Sequence, residues 1–125
     1  MMAKILFVDD ERDLVQCAKV FFESAGYEFV GAYDGMQAIE KVKEERPDLV
    51  CLDVSMPRLT GWDVLRTLQD DPETADIPVI MLTARTQDQD KARGWELGCT
   101  FYHTKPFDFD ELLVLIQRIL AATEL

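Results

Sequence analysis

The sequence holds little of what builds soft-metal or redox chemistry: one histidine, His103, and three cysteines, Cys17, Cys51 and Cys99. The cysteines are odd in number and far apart, with no CxxC pair and no spacing that joins them to the histidine, so neither a zinc site nor a disulfide framework is encoded. Their expected state is that of buried reduced thiols, which suits a reducing cytoplasm. No apolar run approaches the roughly 20 residues needed to cross a bilayer, and the N-terminus lacks the n-region and apolar stretch of a signal peptide. A cytoplasmic location without membrane contact is expected. Basic residues are scarce as well, 13 against 24 acidic ones, for a net charge of −11. Nucleic-acid binding rests on Lys and Arg neutralising phosphates, so direct contact with nucleic acid is not expected. The charge balance fits a chain that holds cations or docks on basic surfaces. Repeats, low-complexity tracts and linkers are also missing. The 125 residues, 48% hydrophobic and 30% charged, are read as a single globular domain spanning 1–125.

What the sequence does contain is an alternation of short apolar runs and amphipathic stretches. Lys4–Val8, Glu28–Ala32, Leu49–Leu52, Val79–Leu82 and Thr100–His103 read as strands. Ile5–Val8, Leu49–Leu52 and Val79–Leu82 are apolar at every position, the pattern of strands buried on both faces in a parallel sheet. Between them lie helical stripes. Leu14, Cys17, Ala18, Phe21 and Phe22 form the first, with Gly26 as a stop, and Ala38, Ile39 and Val42 the second, which ends before Pro47. Val64, Leu65 and Leu68 form a third after Gly61. A weaker fourth runs from about Gln87 to Leu97, and a fifth begins near Phe109 with Leu112, Ile116, Ile119 and Leu120. Five βα units in series predict an α/β fold, a doubly wound five-stranded parallel sheet with five helices. In such sheets a ligand site lies beyond the carboxyl ends of the strands.

The residues just after each apolar run therefore matter most. Asp9, Asp10 and Glu11 follow the first, Asp53 the third, Thr83 the fourth, and Lys105-Pro106 lies shortly after the fifth. Three carboxylates, a hydroxyl and an ammonium would converge on one edge. Clustered carboxylates repel one another, and a hard cation with oxygen ligands, Mg²⁺, relieves that repulsion. One carboxylate can then attack a phosphoryl group and form an acyl phosphate. Catalysis of that step is mostly positioning and charge stabilisation, for which Lys, metal and a hydroxyl donor suffice. Taken alone, Asp9 and Asp10 read better as a helix N-cap and its neighbour, and Lys105 as a solvated charge.

Ile5-Leu6-Phe7-Val8-Asp9-Asp10-Glu11, Asp48 through Pro57, Gly61, Pro78 through Ala84 and Lys105-Pro106-Phe107 together resemble the receiver domain of two-component response regulators, over nearly the whole chain. The resemblance implies a flavodoxin-like strand order 2-1-3-4-5 and a role for each matching residue. Asp53 would be the phospho-acceptor, served by a histidine kinase or a histidine phosphotransfer protein. Asp10 would ligate Mg²⁺ directly and Asp9 through water, with the backbone carbonyl of Ser55 as a further ligand. Lys105 would pair with phosphoryl oxygens, across a cis peptide to Pro106 of the kind only proline tolerates readily. Thr83 would close onto the phosphoryl group, with room left by Ala84, and Tyr102 would turn inward as it moves. Such a domain would catalyse only its own phosphorylation and dephosphorylation, and pass the signal to a downstream target or effector domain through its fourth helix, fifth strand and fifth helix. No effector domain is read in these 125 residues, which fit a stand-alone regulator or a receiver cut from a longer protein.

Two other classes fit less well. A phosphatase resembling the haloacid dehalogenase family wants Asp-x-Asp after the first strand, where this chain has Asp9-Asp10-Glu11. A degenerate receiver that only binds would lack residue types that are all present here. His103, Trp62 and Trp95 read as packing residues, and Arg85 as either a screen for the phosphoryl group or a surface charge. The chain departs from many DNA-binding relatives at Thr100 and Phe101, where they carry aspartates, and at Leu115, where they commonly place an arginine four residues after the acid matched by Glu111. The ion-pair dimer of those relatives is therefore not expected. If Leu112, Ile116, Ile119 and Leu120 face the sheet, Leu113 and Leu115 turn outward, and with Phe101 they would form an apolar face for a target or a second copy.

Overall fold

The computed structural model describes residues 2–83, 101–104 and 107–123, with the backbone alone described at 83 and 101–104. Five strands, β1 (Lys4–Val8), β2 (Glu28–Ala32), β3 (Leu49–Asp53), β4 (Val79–Thr83) and β5 (Phe101–Thr104), form one parallel sheet in the order β2-β1-β3-β4-β5. The predicted strand order is thus observed. Helices α1 (Arg12–Ser24), α2 (Gly35–Glu45), α3 (Gly61–Asp70) and α4 (Phe109–Thr123) are those among the described residues. The stripe predicted from Gln87 to Leu97, with Ala84, Arg85, Trp95, Cys99 and Thr100, lies outside them.

Alternate residues of the central strands feed two cores, as the pleat requires. Leu6, Val8, Val50, Leu52, Val79 and Met81 pack with α2 and α3, while Ile5, Phe7, Leu49, Cys51, Ile80 and Leu82 pack with α1 and α4. Aromatic rings close the second face at the seam of α1 and α4, where Phe21 stacks on Phe109 with centroids 5.4 Å apart. This double layer explains the uninterrupted apolar runs, since each strand residue meets helices whichever way it points. No helix among the described residues is long and apolar enough to cross a membrane.

Some boundaries and faces differ from expectation. β3 and β4 each run one residue further, to Asp53 and Thr83, and β5 starts and ends one residue later than predicted. Polar residues continue the ladder there because backbone groups, not side chains, make it. In α1 the buried residues are Val15, Ala18 and Phe22, while Leu14 and Phe21 are half-buried. Cys17 is exposed, so the expectation of buried thiols fails for it. Cys51 is buried, and that burial pushes its thiol pKa up. In α4, Leu112, Ile116 and Ile119 face the core as predicted, but Leu113 and Leu115 do not stand outward: both are half-buried against it. At about 100° per residue they flank the buried stripe, and Val114, opposite it, is the exposed one at 46%. The apolar face expected from Leu113 and Leu115 is thereby corrected; the side chain of Phe101 lies outside the described residues.

Candidate functional site

The sheet brings its acids to the carboxyl edge by register. Val8 pairs with Ala32 on one side and Leu52 on the other, so the next residues, Asp9, Tyr33 and Asp53, lie in a row across three strands. Asp9 extends β1 pairing by donating its N–H to the Ala32 carbonyl at 3.1 Å. Its Oδ1 accepts the Glu11 N–H at 2.9 Å, closing a tight turn into α1. That turn leaves Asp10 exposed at the mouth of the site, while Asp9 is 1% and Asp53 4% exposed. Glu11, the residue before α1, makes no side-chain cap. The alternative reading of Asp9 and Asp10 as helix caps therefore holds only for the Asp9–Glu11 contact.

Ligand oxygens of Asp9, Asp10 and Asp53 all lie within 4.8 Å of one another. Two of the three carboxylates are buried, so water screens their mutual repulsion poorly. Their donor set is hard oxygen alone, with one exposed member, which fits Mg²⁺ rather than a nitrogen- or sulfur-seeking ion.

The backbone beyond Asp53 is held from two sides. Val54 donates its N–H to the Leu82 carbonyl at 2.9 Å and accepts the Gly61 N–H at 3.0 Å. Gly61 must be glycine: a Cβ there would overlap the Asp53 carbonyl oxygen and lie 2.9 Å from the Val54 Cα. Gly35 plays a similar part at the start of α2, where a Cβ would come within 2.8 Å of the Leu59 Cβ. A capping box between Thr60 and Asp63 fixes the start of α3. The loop carrying Ser55 is thus clamped between α2 and α3, with Met56 buried and Ser55 exposed.

Thr83 ends β4 one position past Leu82, the β4 partner of Asp53, and Tyr102 pairs with Met81 in β5. Their side chains, and Lys105 with Pro106 entirely, lie outside the described residues. Trp62 is buried in the α2–α3 core, as its packing role requires. The pattern marks Gly61 only as a helix start and a motif residue; its close approach to β3 carries no sequence signal, because nothing in spacing reveals where a helix axis passes a strand. A cavity of about 460 Å³ lies at the opposite edge of the sheet, lined by Met2, Pro47, Asp48, Asp76, Leu120 and Thr123 among others, away from the acids.

Comparison with known proteins agrees with this geometry. The family model described as response regulator receiver domain matches residues 5–117. The DNA-binding dual master transcriptional regulator RpaA of Synechocystis is 39% identical over 98% of this chain and 51% of its own length. The transcriptional regulatory protein CpxR of Escherichia coli is 43% identical over 95% of this chain and 50% of its own. This chain spans about half the length of these curated relatives. The chemotaxis protein CheY4 of Vibrio cholerae superposes with a TM-score of 0.90 at 35% identity, covering 94% of this chain and 98% of that one.

Proposed function

Because the chain belongs to the response-regulator receiver family, whose members are phosphorylation-dependent signalling domains rather than metabolic enzymes, we propose that Asp53 is its phosphoryl acceptor. The observation that carries this reading is the meeting of Asp9, Asp10 and Asp53 within 4.8 Å at the carboxyl edge of the sheet. A carboxylate oxygen of Asp53 attacks phosphorus, the bond to the leaving group breaks, and an acyl phosphate remains on Asp53. Asp10, Asp53 and the Ser55 carbonyl would hold Mg²⁺, with Asp9 acting through water, and the ion would neutralise charge on the acids and the phosphoryl oxygens. The Val54 N–H donating to Leu82 and the Gly61 N–H donating to the Val54 carbonyl keep Asp53 in place while this happens.

Lys105 pairs with the phosphoryl oxygens and Thr83 donates its hydroxyl to them afterwards, with Tyr102 following Thr83 as the switch. The domain's only chemistry is its own phosphorylation and dephosphorylation. A histidine kinase or a histidine phosphotransfer protein supplies the phosphoryl group, and a target protein or effector domain reads the result. The net charge of −11 favours partners with basic surfaces.

The test is incubation with acetyl phosphate and Mg²⁺, read by intact mass. A gain of one phosphoryl group, absent without Mg²⁺ and in Asp53→Ala, is the expected outcome. A protein that gains no mass at saturating Mg²⁺ would be a binding-only receiver.

A further inference from the structure

We infer that Phe109, clasped between Phe107 and the later turns of α1, is a positioning residue that sets the reach of Lys105 toward the phosphoryl group. This rests on Asp53 being the acceptor and on Lys105 pairing with the phosphoryl oxygens. The Phe109 ring stacks on Phe21 with centroids 5.4 Å apart and planes at 23°, and it meets Phe22 edge-on at 6.1 Å. Phe107 stands edge-on to Phe109 at 5.4 Å. Phe22 is fully buried, so these rings rest on a part of α1 that cannot yield without opening the core.

The backbone between and beyond the rings is held as well. Asp108 Oδ1 accepts the Asp110 N–H at 2.8 Å, and the Asp108 carbonyl accepts the Leu112 N–H at 3.1 Å. Leu112 is itself buried in the core shared with α1. Residues Phe107 to Leu112 therefore form one anchored stretch. Two Cα–Cα steps, at most about 7.6 Å, separate Phe107 from Lys105, so the clasp bounds where the lysine can start.

A lysine ammonium is a compact point charge on a flexible stem, with no planar fork to fix its direction. Its hold on phosphoryl oxygens then depends on where its backbone starts, and a misplacement of about 1 Å removes much of the rate. The three acids stand apart from this clasp, set by the pairing of β1 with β3 and by the turn into α1. Loosening the rings weakens the lysine contact and spares the metal site. A second aromatic arm supplies a control. Phe29, in β2, packs on Phe22 at 6.4 Å and on Phe7 at 6.3 Å, in the same core but outside the stretch that follows Lys105.

The experiment compares the full chain with Phe109→Leu, Phe109→Tyr, Phe29→Leu, Lys105→Met and the double variant of Lys105→Met with Phe109→Leu. Initial rates with acetyl phosphate at saturating Mg²⁺ are read by intact mass, Mg²⁺ affinity by calorimetry and folding by urea midpoint. Phe109→Leu is expected to slow phosphorylation about tenfold, with Mg²⁺ affinity within about twofold of the parent. Phe109→Tyr, which keeps the stacked face, should keep the rate. Phe29→Leu should lower the urea midpoint as Phe109→Leu does, without slowing the reaction. In the Lys105→Met background, Phe109→Leu should change the rate by less than about twofold, as for residues that act through one contact. An unchanged rate in Phe109→Leu, or an equal loss in the Lys105→Met background or in Phe29→Leu, overturns the inference. A Lys105→Met rate equal to the parent's overturns the role of that lysine as well. No mass gain in the parent, or a gain that survives Asp53→Ala, overturns the reading of Asp53.

Discussion

Asp53 sits on backbone that only a hydrogen atom can approach from the α3 side, because Gly61 passes directly beneath it. Any larger residue at 61 must push α3 away from β3 or shift Asp53 relative to Asp9 and Asp10. Gly61→Ala is therefore expected to destabilise the fold by about 1–3 kcal/mol, the usual penalty for overpacking, and to weaken Mg²⁺ binding. Urea unfolding and calorimetry check the two effects separately; wild-type values for both would show that the α3 terminus gives way freely. At this scale the sequence was informative where chemistry follows strand ends. Asp9, Asp10 and Asp53 were legible because each terminates or follows an apolar run. The Gly61 contact was not, because it depends on how a helix and a strand lie across one another in space.

Among the elements, the apolar pattern gives β1 its observed bounds and stops one residue short in β3 and β4, since backbone pairing outlasts the hydrophobic pattern into Asp53 and Thr83. Helices were harder. The period of 3.6 marks a stripe, but which of two adjoining stripes faces inward depends on packing, as Val15 in place of Cys17 shows in α1. Two connecting segments carry backbone strain: Arg46, just past α2, has φ 47°, and Arg58, in the loop after Asp53, has φ 68°. An L-residue in the left-handed region costs about 1–2 kcal/mol. Arg46→Gly and Arg58→Asn are each expected to raise stability by about 0.5–1 kcal/mol, seen as a higher urea midpoint with an unchanged slope. A lower midpoint would mean that the arginine side chains contribute more than their backbone conformation takes away.

For the molecule as a whole, the net charge of −11 includes three acids whose ligand oxygens lie within 4.8 Å of one another. Mg²⁺ at ten times its dissociation constant is expected to stabilise the fold by about 1.4 kcal/mol, or roughly 5 °C for a domain of this size. Asp10→Asn should melt higher than the parent without Mg²⁺, because it removes like-charge repulsion, and should lose the Mg²⁺ gain; calorimetric melts against NaCl of equal ionic strength separate binding from screening. Equal gains from both salts would assign the effect to screening. The cavity shared by Met2 and Thr123 adds a matter of layout. Both ends of the described chain stand at one pole, and the acids stand at the other, a strand length of about 16 Å away. A rearrangement at the acids is therefore felt at the Met2–Thr123 pole only through the strands and helices between them.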